Sequence, residues 1–107
     1  MLKIRFSDQA RKDLAEIWDY IATDNVAAAD RTVDRLLLAC GAFVENPDLG
    51  RRREEFRPGL RSLPIGKYVI FYRTDPEHVD VLRILHGARE IRVLLANDGP
   101  ETFETEI

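Results

Sequence analysis

The chain has 107 residues, 45% of them hydrophobic and 33% charged, with a formal net charge of −3, the composition of one soluble domain built around one core. No apolar run approaches the roughly 20 residues that span a bilayer, the opening Met-Leu-Lys-Ile-Arg-Phe lacks the apolar stretch of a signal peptide, and a single cysteine, Cys40, excludes an internal disulfide, so a reducing, cytoplasmic setting without membrane contact is expected. Segment 50–92 holds ten bases against six acids, or +4, which leaves six bases against 13 acids, or −7, for the rest; a local positive patch of this size can meet a few phosphates or an acidic partner, but strong direct nucleic-acid binding needs a domain-wide basic excess.

Leu2, Ile4 and Phe6 alternate with Lys3 and Arg5, which predicts a short strand. Ser7 is a suitable N-cap for a helix on which Ala10, Leu14, Ile17, Trp18 and Ile21 fall at helical spacing. Asp24-Asn25 breaks the pattern and caps a second helix, whose stripe runs from Ala29 through Leu36, Cys40 and Phe43 to Val44. Pro47 ends it, because the residue before proline disfavours helical geometry. Residues 47–59 read as a polar loop, Leu60–Leu63 as a short strand, Tyr68–Arg73 and Val79–Leu85 as two further strands, and Glu90–Ala96 as a short C-terminal helix. The expected architecture is α+β: an N-terminal strand, then an antiparallel helical hairpin packed on an antiparallel sheet of three to four strands. The whole of 1–107 reads as one domain, with 98–107 a flexible acidic tail.

Strict alternation puts Tyr68, Ile70 and Tyr72 on one face of their strand and Val69 and Phe71 on the other, and splits the 79–85 strand between two apolar faces in the same way. One helical hairpin covers one face. The short segment 90–96 is too small to cover the whole second face, so uncovered apolar surface is expected there and marks a partner-binding surface. Leu14, Trp18, Tyr20 and Ile21 on the first helix, with Tyr68 and Tyr72 on the sheet, are the candidate partner contacts.

The sequence offers no metal-ligand spacing, no glycine-rich phosphate loop, and no serine or cysteine in a nucleophile motif, so neither metal nor cofactor is expected. Asp13, Glu16 and Asp19 fall on what spacing makes a solvated helix face. The remaining candidates are a cationic set on or beside the sheet: Arg61, Arg73, Arg83, His86 and Arg89. Arginines grip phosphates and carboxylates, and a histidine can move a proton near neutrality, so a metal-free ribonuclease can be assembled from Arg61, Arg73, Arg83 and His86. The alternative for these arginines is structural, as strand-flanking partners of Asp75, Glu77 or Asp80.

Taken together, these segments resemble the RelE/ParE toxin superfamily over about residues 2–96. The resemblance rests on Phe6-Ser7 opening the helix with Asp13-Leu14 and Ile17-Trp18-Asp19-Tyr20-Ile21, on Ala29 and Arg31, and on Asn46-Pro47-Asp48-Leu49-Gly50-Arg51. It continues through Leu60-Arg61-Ser62-Leu63, the run Gly66–Arg73, and the run Val81–Glu90. In this superfamily RelE-like members are ribosome-dependent messenger RNA endonucleases, and ParE-like members share the fold but poison DNA gyrase. The His-Gly-Ala-Arg-Glu segment at 86–90 is similar to the ParE side, where His-Gly-Ala-Arg-Asp is common. The acidic balance agrees, and the lysine-rich loop and C-terminal catalytic tyrosine of the RelE pattern are missing. The resemblance implies a non-enzymatic toxin component of a type II toxin-antitoxin system, with DNA gyrase as target and a ParD-like antitoxin as partner. A RelE-type endoribonuclease is the alternative, and a relic that binds an antitoxin without toxicity is a third reading.

Overall fold

The computed structural model describes residues 1–87 and the strand at 103–106. In chain order the elements are β1 (Lys3–Ser7), α1 (Asp8–Ala22), α2 (Val26–Glu45), β2 (Arg51–Arg52), β3 (Arg61–Ile65), β4 (Tyr68–Thr74), β5 (His78–His86) and β6 (Phe103–Glu106). The helix boundaries match the expected caps. The Ser7 hydroxyl accepts from the Ala10 N–H at 3.0 Å, and the Asn25 side chain accepts from the Ala28 N–H at 3.0 Å. The second helix stops at Glu45, one residue before the Asn46-Pro47 step.

The described strands form one sheet in the order β2-β3-β4-β5-β1-β6. Its β2-β3-β4-β5 part is antiparallel throughout. β1 runs parallel to β5, pairing Ile4 with Val79 and Phe6 with Val81. The sheet is thus mixed and larger than the expected three to four antiparallel strands. Alternation reports that a segment is a strand but not which neighbour it takes or in which direction; the long connection from β1 through both helices is what permits a parallel neighbour. Two further strands come from unexpected places. Arg51–Arg52, inside the expected loop, pairs with β3, and Phe103–Glu106, inside the expected tail, pairs antiparallel with β1. The expected helix at Glu90–Ala96 lies outside the described residues.

The main core lies between the helical hairpin and the sheet and includes Phe6, Ile17, Leu36, Cys40, Phe43, Ile70, Tyr72 and Val81. Phe43 and Tyr72 stack with ring centroids 3.8 Å apart. The opposite face of β4 and β5, expected to be left partly uncovered, has cover from another part of the chain. Leu60, Phe71, Leu82 and Leu85 are buried there as a second cluster, with Phe56 and Val69 packed on it. The loop after β2 supplies this cover by folding back on itself, with Arg53 N–H donating to the Leu60 carbonyl, Phe56 N–H to the Arg53 carbonyl, and the Arg53 guanidinium lying over the Phe56 ring at 4.6 Å. The second cluster also departs from strict alternation. Along β4 the partner of Phe71 is Arg83, but the partner of Tyr72 is Val81, so Leu82 is an extra residue in β5. This bulge places Leu82 with Leu85 on the second face and Val81 with Ile84 on the helical face.

Candidate functional site

A groove of about 490 Å³ opens where the helical hairpin meets one end of the sheet. Tyr20 and Ile21 enter it from the last turn of α1. Thr32, Arg35 and Leu36 enter from one face of α2, as their three- and four-residue spacing requires. The β3–β4 turn adds Ile65, Gly66, Lys67 and Tyr68, and the end of β5 adds His86. Tyr68 and His86 are register partners, their rings edge to face at 5.5 Å. The turn is pinned by the Gly87 N–H donating to the Lys67 carbonyl at 2.9 Å. Gly66 sits at φ 58°, a conformation glycine adopts freely, and a Cβ there would lie 3.8 Å from Arg35 Nη1, so the arginine reaches across to the turn.

The groove has an apolar floor and a cationic rim. Leu36 is fully buried beneath it, Ile21 and Ile65 are half-buried, and Tyr20 stands 79% exposed at its edge. Among the described residues Arg35, Lys67 and His86 are its basic groups, and none of the described residues that line it is a carboxylate. Burial pushes the Tyr68 phenol upward, and the nearby Tyr20 adds to the shift, so Tyr68 is a neutral hydrogen-bonding group at any physiological pH.

The structure brings Tyr20, Ile21 and Tyr68 together here, beside His86. It places the other partner candidates elsewhere. Leu14 packs against the main core, and Trp18 is half-buried, its indole N–H donating to Asp30 Oδ1 at 2.8 Å to join the two helices. Tyr72 is completely buried; its hydroxyl donates to the Pro47 carbonyl at 2.8 Å and accepts from the Gly50 N–H at 2.7 Å, leaving no surface for a partner.

The described cationic candidates have different partners. Arg83 is buried against Asp13, its Nε and Nη2 donating to the two carboxylate oxygens at 2.9 and 3.0 Å. The Ile84 N–H gives Asp13 Oδ2 a third bond at 2.9 Å. Asp13 is therefore not on a solvated face: the β5 bulge turns Arg83 toward α1, and a buried guanidinium requires a carboxylate there. Arg61 pairs with Asp48 at 3.0 Å and donates to the Gly50 carbonyl at 2.8 Å. Asp80 takes Arg5, at 2.8 Å, as its partner. Arg73 is half-buried opposite Asp80 in the register, without an ion pair to a described residue. His86 is exposed at the end of β5, and Arg89 lies outside the described residues. Residue-by-residue reading missed Asp13, Arg35 and Lys67. Only Arg35 carried a signal, because it borders the apolar stripe of α2 beside Leu36.

Among the described residues no helix is long and apolar enough to cross a membrane, and no group of three or more potential ligands is placed to hold a metal ion.

Comparison with known proteins agrees with this architecture. Residues 4–91 match the family model of the ParE toxin of the type II toxin-antitoxin system parDE. The chain is 36% identical over 87 residues to Toxin ParE1 of Mycobacterium tuberculosis, covering 79% of this chain and 89% of that protein. It is 31% identical over 88 residues to Toxin RelE3 of Caulobacter vibrioides, covering 81% and 96% of the two. Its fold matches a solved chain of the chromosomal ParDE toxin-antitoxin system from P. aeruginosa with a TM-score of 0.71 at 21% identity, over 82% of this chain and 98% of that one. The chain belongs to the ParE toxin family of type II toxin-antitoxin systems.

Proposed function

We propose that this protein is a non-enzymatic, cytoplasmic toxin that poisons DNA gyrase and is silenced by a ParD-like antitoxin docking at the groove of Tyr20, Ile21 and Tyr68. The observation that carries the non-enzymatic part is the commitment of Arg83. A metal-free ribonuclease needs arginines free to turn toward a phosphate, whereas Arg83 is buried in a two-pronged pair with Asp13. Arg61 is likewise engaged, with Asp48 and the Gly50 carbonyl. The ParE-like segment at 86–90 and the absence of a domain-wide basic excess support the same reading. The antitoxin part is supported by the ParDE system to which the fold is similar, and by a groove that has an apolar floor among the described residues.

The test uses purified toxin in two reactions, gyrase-driven supercoiling and ribosome-dependent cleavage of messenger RNA. Loss of supercoiling with accumulation of cleaved DNA, and an intact messenger, is the expected result. Messenger cleavage with undisturbed supercoiling supports the endoribonuclease reading, which the likeness to a relative named RelE3 keeps in view.

A further inference from the structure

We infer that the outer face of α2 is a self-association surface, on which a second copy of this chain packs antiparallel through Arg31, Asp34, Leu38, Gly41 and Glu45. These five residues recur at alternating three- and four-residue spacing, which holds them in one seam along the helix. All five are exposed. The seam lies away from Ala29, Leu36, Cys40 and Phe43, the residues that α2 buries.

Two members of the seam serve no described contact within the chain. Leu38 is 79% exposed, and Leu37 beside it is 40% exposed. Gly41 stands inside α2, where glycine weakens a helix relative to alanine. A Cβ there would meet nothing within 4 Å, so no described neighbour requires the small residue. Gly41 lies three residues from Leu38, on the next turn of the same face. An exposed leucine beside such a notch offers a ridge and a groove, the elements by which one helix packs on another.

Charge fixes the occupant and its direction. A two-fold axis at Leu38 sets Leu38 against its own copy, Arg31 against Glu45 of the second copy, and Asp34 against Gly41 of the second copy. Both Arg31–Glu45 pairs are then of opposite charge, and Asp34 meets a position with no side chain. A parallel pairing would set Arg31, Asp34 and Glu45 each against its own like charge. Arg31 and Glu45 hold no ion pair with a described residue, so both are available to a second copy. Arg35 flanks the seam and balances Asp34, so this face is neutral on a chain of net charge −3, and two copies meet there without net repulsion. The helix has 20 residues, a length of about 30 Å. One helix face of that length buries less than the roughly 1,200 Å² of a standard interface, so the association is weak and concentration-dependent.

The test is sedimentation equilibrium of the full chain from about 10 µM to about 1 mM. The unmodified chain is expected to pass from monomer toward dimer over that range. Arg31→Glu and Glu45→Arg each oppose like charges and should weaken the dimer at least about tenfold. Leu38→Glu should do the same, and amide NMR spectra check that all three variants fold. In an equimolar mixture of R31E and E45R both facing pairs are again of opposite charge, so the two variants should associate with each other about as well as the unmodified chain does with itself. An unmodified chain that stays monomeric throughout, self-association that the substitutions leave unchanged, or single variants that fail to associate on mixing each overturns the inference. A monomeric unmodified chain whose L38E variant loses antitoxin binding or gyrase inhibition gives the face to another partner and overturns it as well.

Discussion

Asp13 and Arg83 are the residues on which the most structure converges, since one carboxylate satisfies both prongs of the guanidinium and the Ile84 N–H beside the bulge. Removing one partner of a buried pair leaves the other uncompensated, at a cost of about 3–5 kcal/mol. Asp13→Ala is therefore expected to lower the unfolding free energy by that amount in urea titrations, a large share of the stability of an ordinary small domain. Replacing both residues, Asp13→Leu with Arg83→Met, should recover much of it. A loss of toxicity in an Arg83 variant then reports on folding before it reports on chemistry, and the double variant separates the two. Gly50 is similarly fixed: a Cβ there would meet Tyr72 Cε1 at 2.6 Å and its hydroxyl at 2.7 Å, both on a ring held in the core. Cys40 makes a prediction about pH. Burial pushes its thiol from 9.0 up to about 12. A group whose folded value is raised contributes stability that is whole below its unfolded value and is lost as pH rises toward the folded one. Stability should therefore fall between pH 9 and about 12, by roughly 1.4 kcal/mol per pH unit from this group. A Cys40→Ala variant should lose less over that interval, as read by urea titrations at stepped pH, although Tyr72, also raised by burial, keeps some alkaline sensitivity in both.

α2 is joined to β4 where Phe43 stacks on Tyr72, and the tyrosine hydroxyl in turn holds the chain at Pro47 and Gly50. Phe43→Ala is expected to cost about 3–5 kcal/mol and to loosen the segment after α2, visible as faster amide exchange at Gly50 and Arg61. The groove beside the middle of α2 behaves differently, because its rim residues Tyr20, Arg35 and Lys67 are exposed. Tyr20→Glu should weaken the antitoxin complex at least about tenfold in a pull-down or calorimetric titration, with the thermal midpoint of the free toxin little changed; unaltered binding would move the interface off this surface. These contrasts explain what was legible in the sequence. Ser7, Asn25 and Pro47 announced the helix limits because capping is local chemistry, read within three or four residues. The two apolar stripes announced the hairpin for the same reason. The parallel pairing of β1 with β5 was illegible because pairing partners are chosen by the whole fold. The extra residue at Leu82 was illegible because one added residue moves its successors to the other face without changing composition. Asp13 was read as solvated because nothing in the spacing showed Arg83 turning toward α1. The second face was read as uncovered because Phe56 and Leu60 lay in or beside a segment taken for a polar loop. The site was half legible. Its aromatic and aliphatic members stood out on α1 and β4, whereas Arg35 and Lys67 acquire meaning only once the β3–β4 turn is folded against α2.

At the scale of the whole molecule, charge separates the two candidate activities. A domain with net charge −3 gains little from general attraction to RNA, and its affinity for a target must come from a specific protein surface. The sheet cations fit that view. Arg73 and His86 remain there without an ion pair to a described residue, while Arg61 and Arg83 serve the architecture. The proposed antitoxin contact is likewise separable from the fold, because the described residues of the groove rim carry none of the buried pairs on which stability depends. The most direct measurement of the central claim is induction of the chain in growing cells without antitoxin, with a DNA-damage reporter and messenger cleavage mapping read from the same culture. Early induction of the damage response with messengers intact is expected. Rapid, codon-positioned messenger cleavage with a silent damage reporter would contradict it.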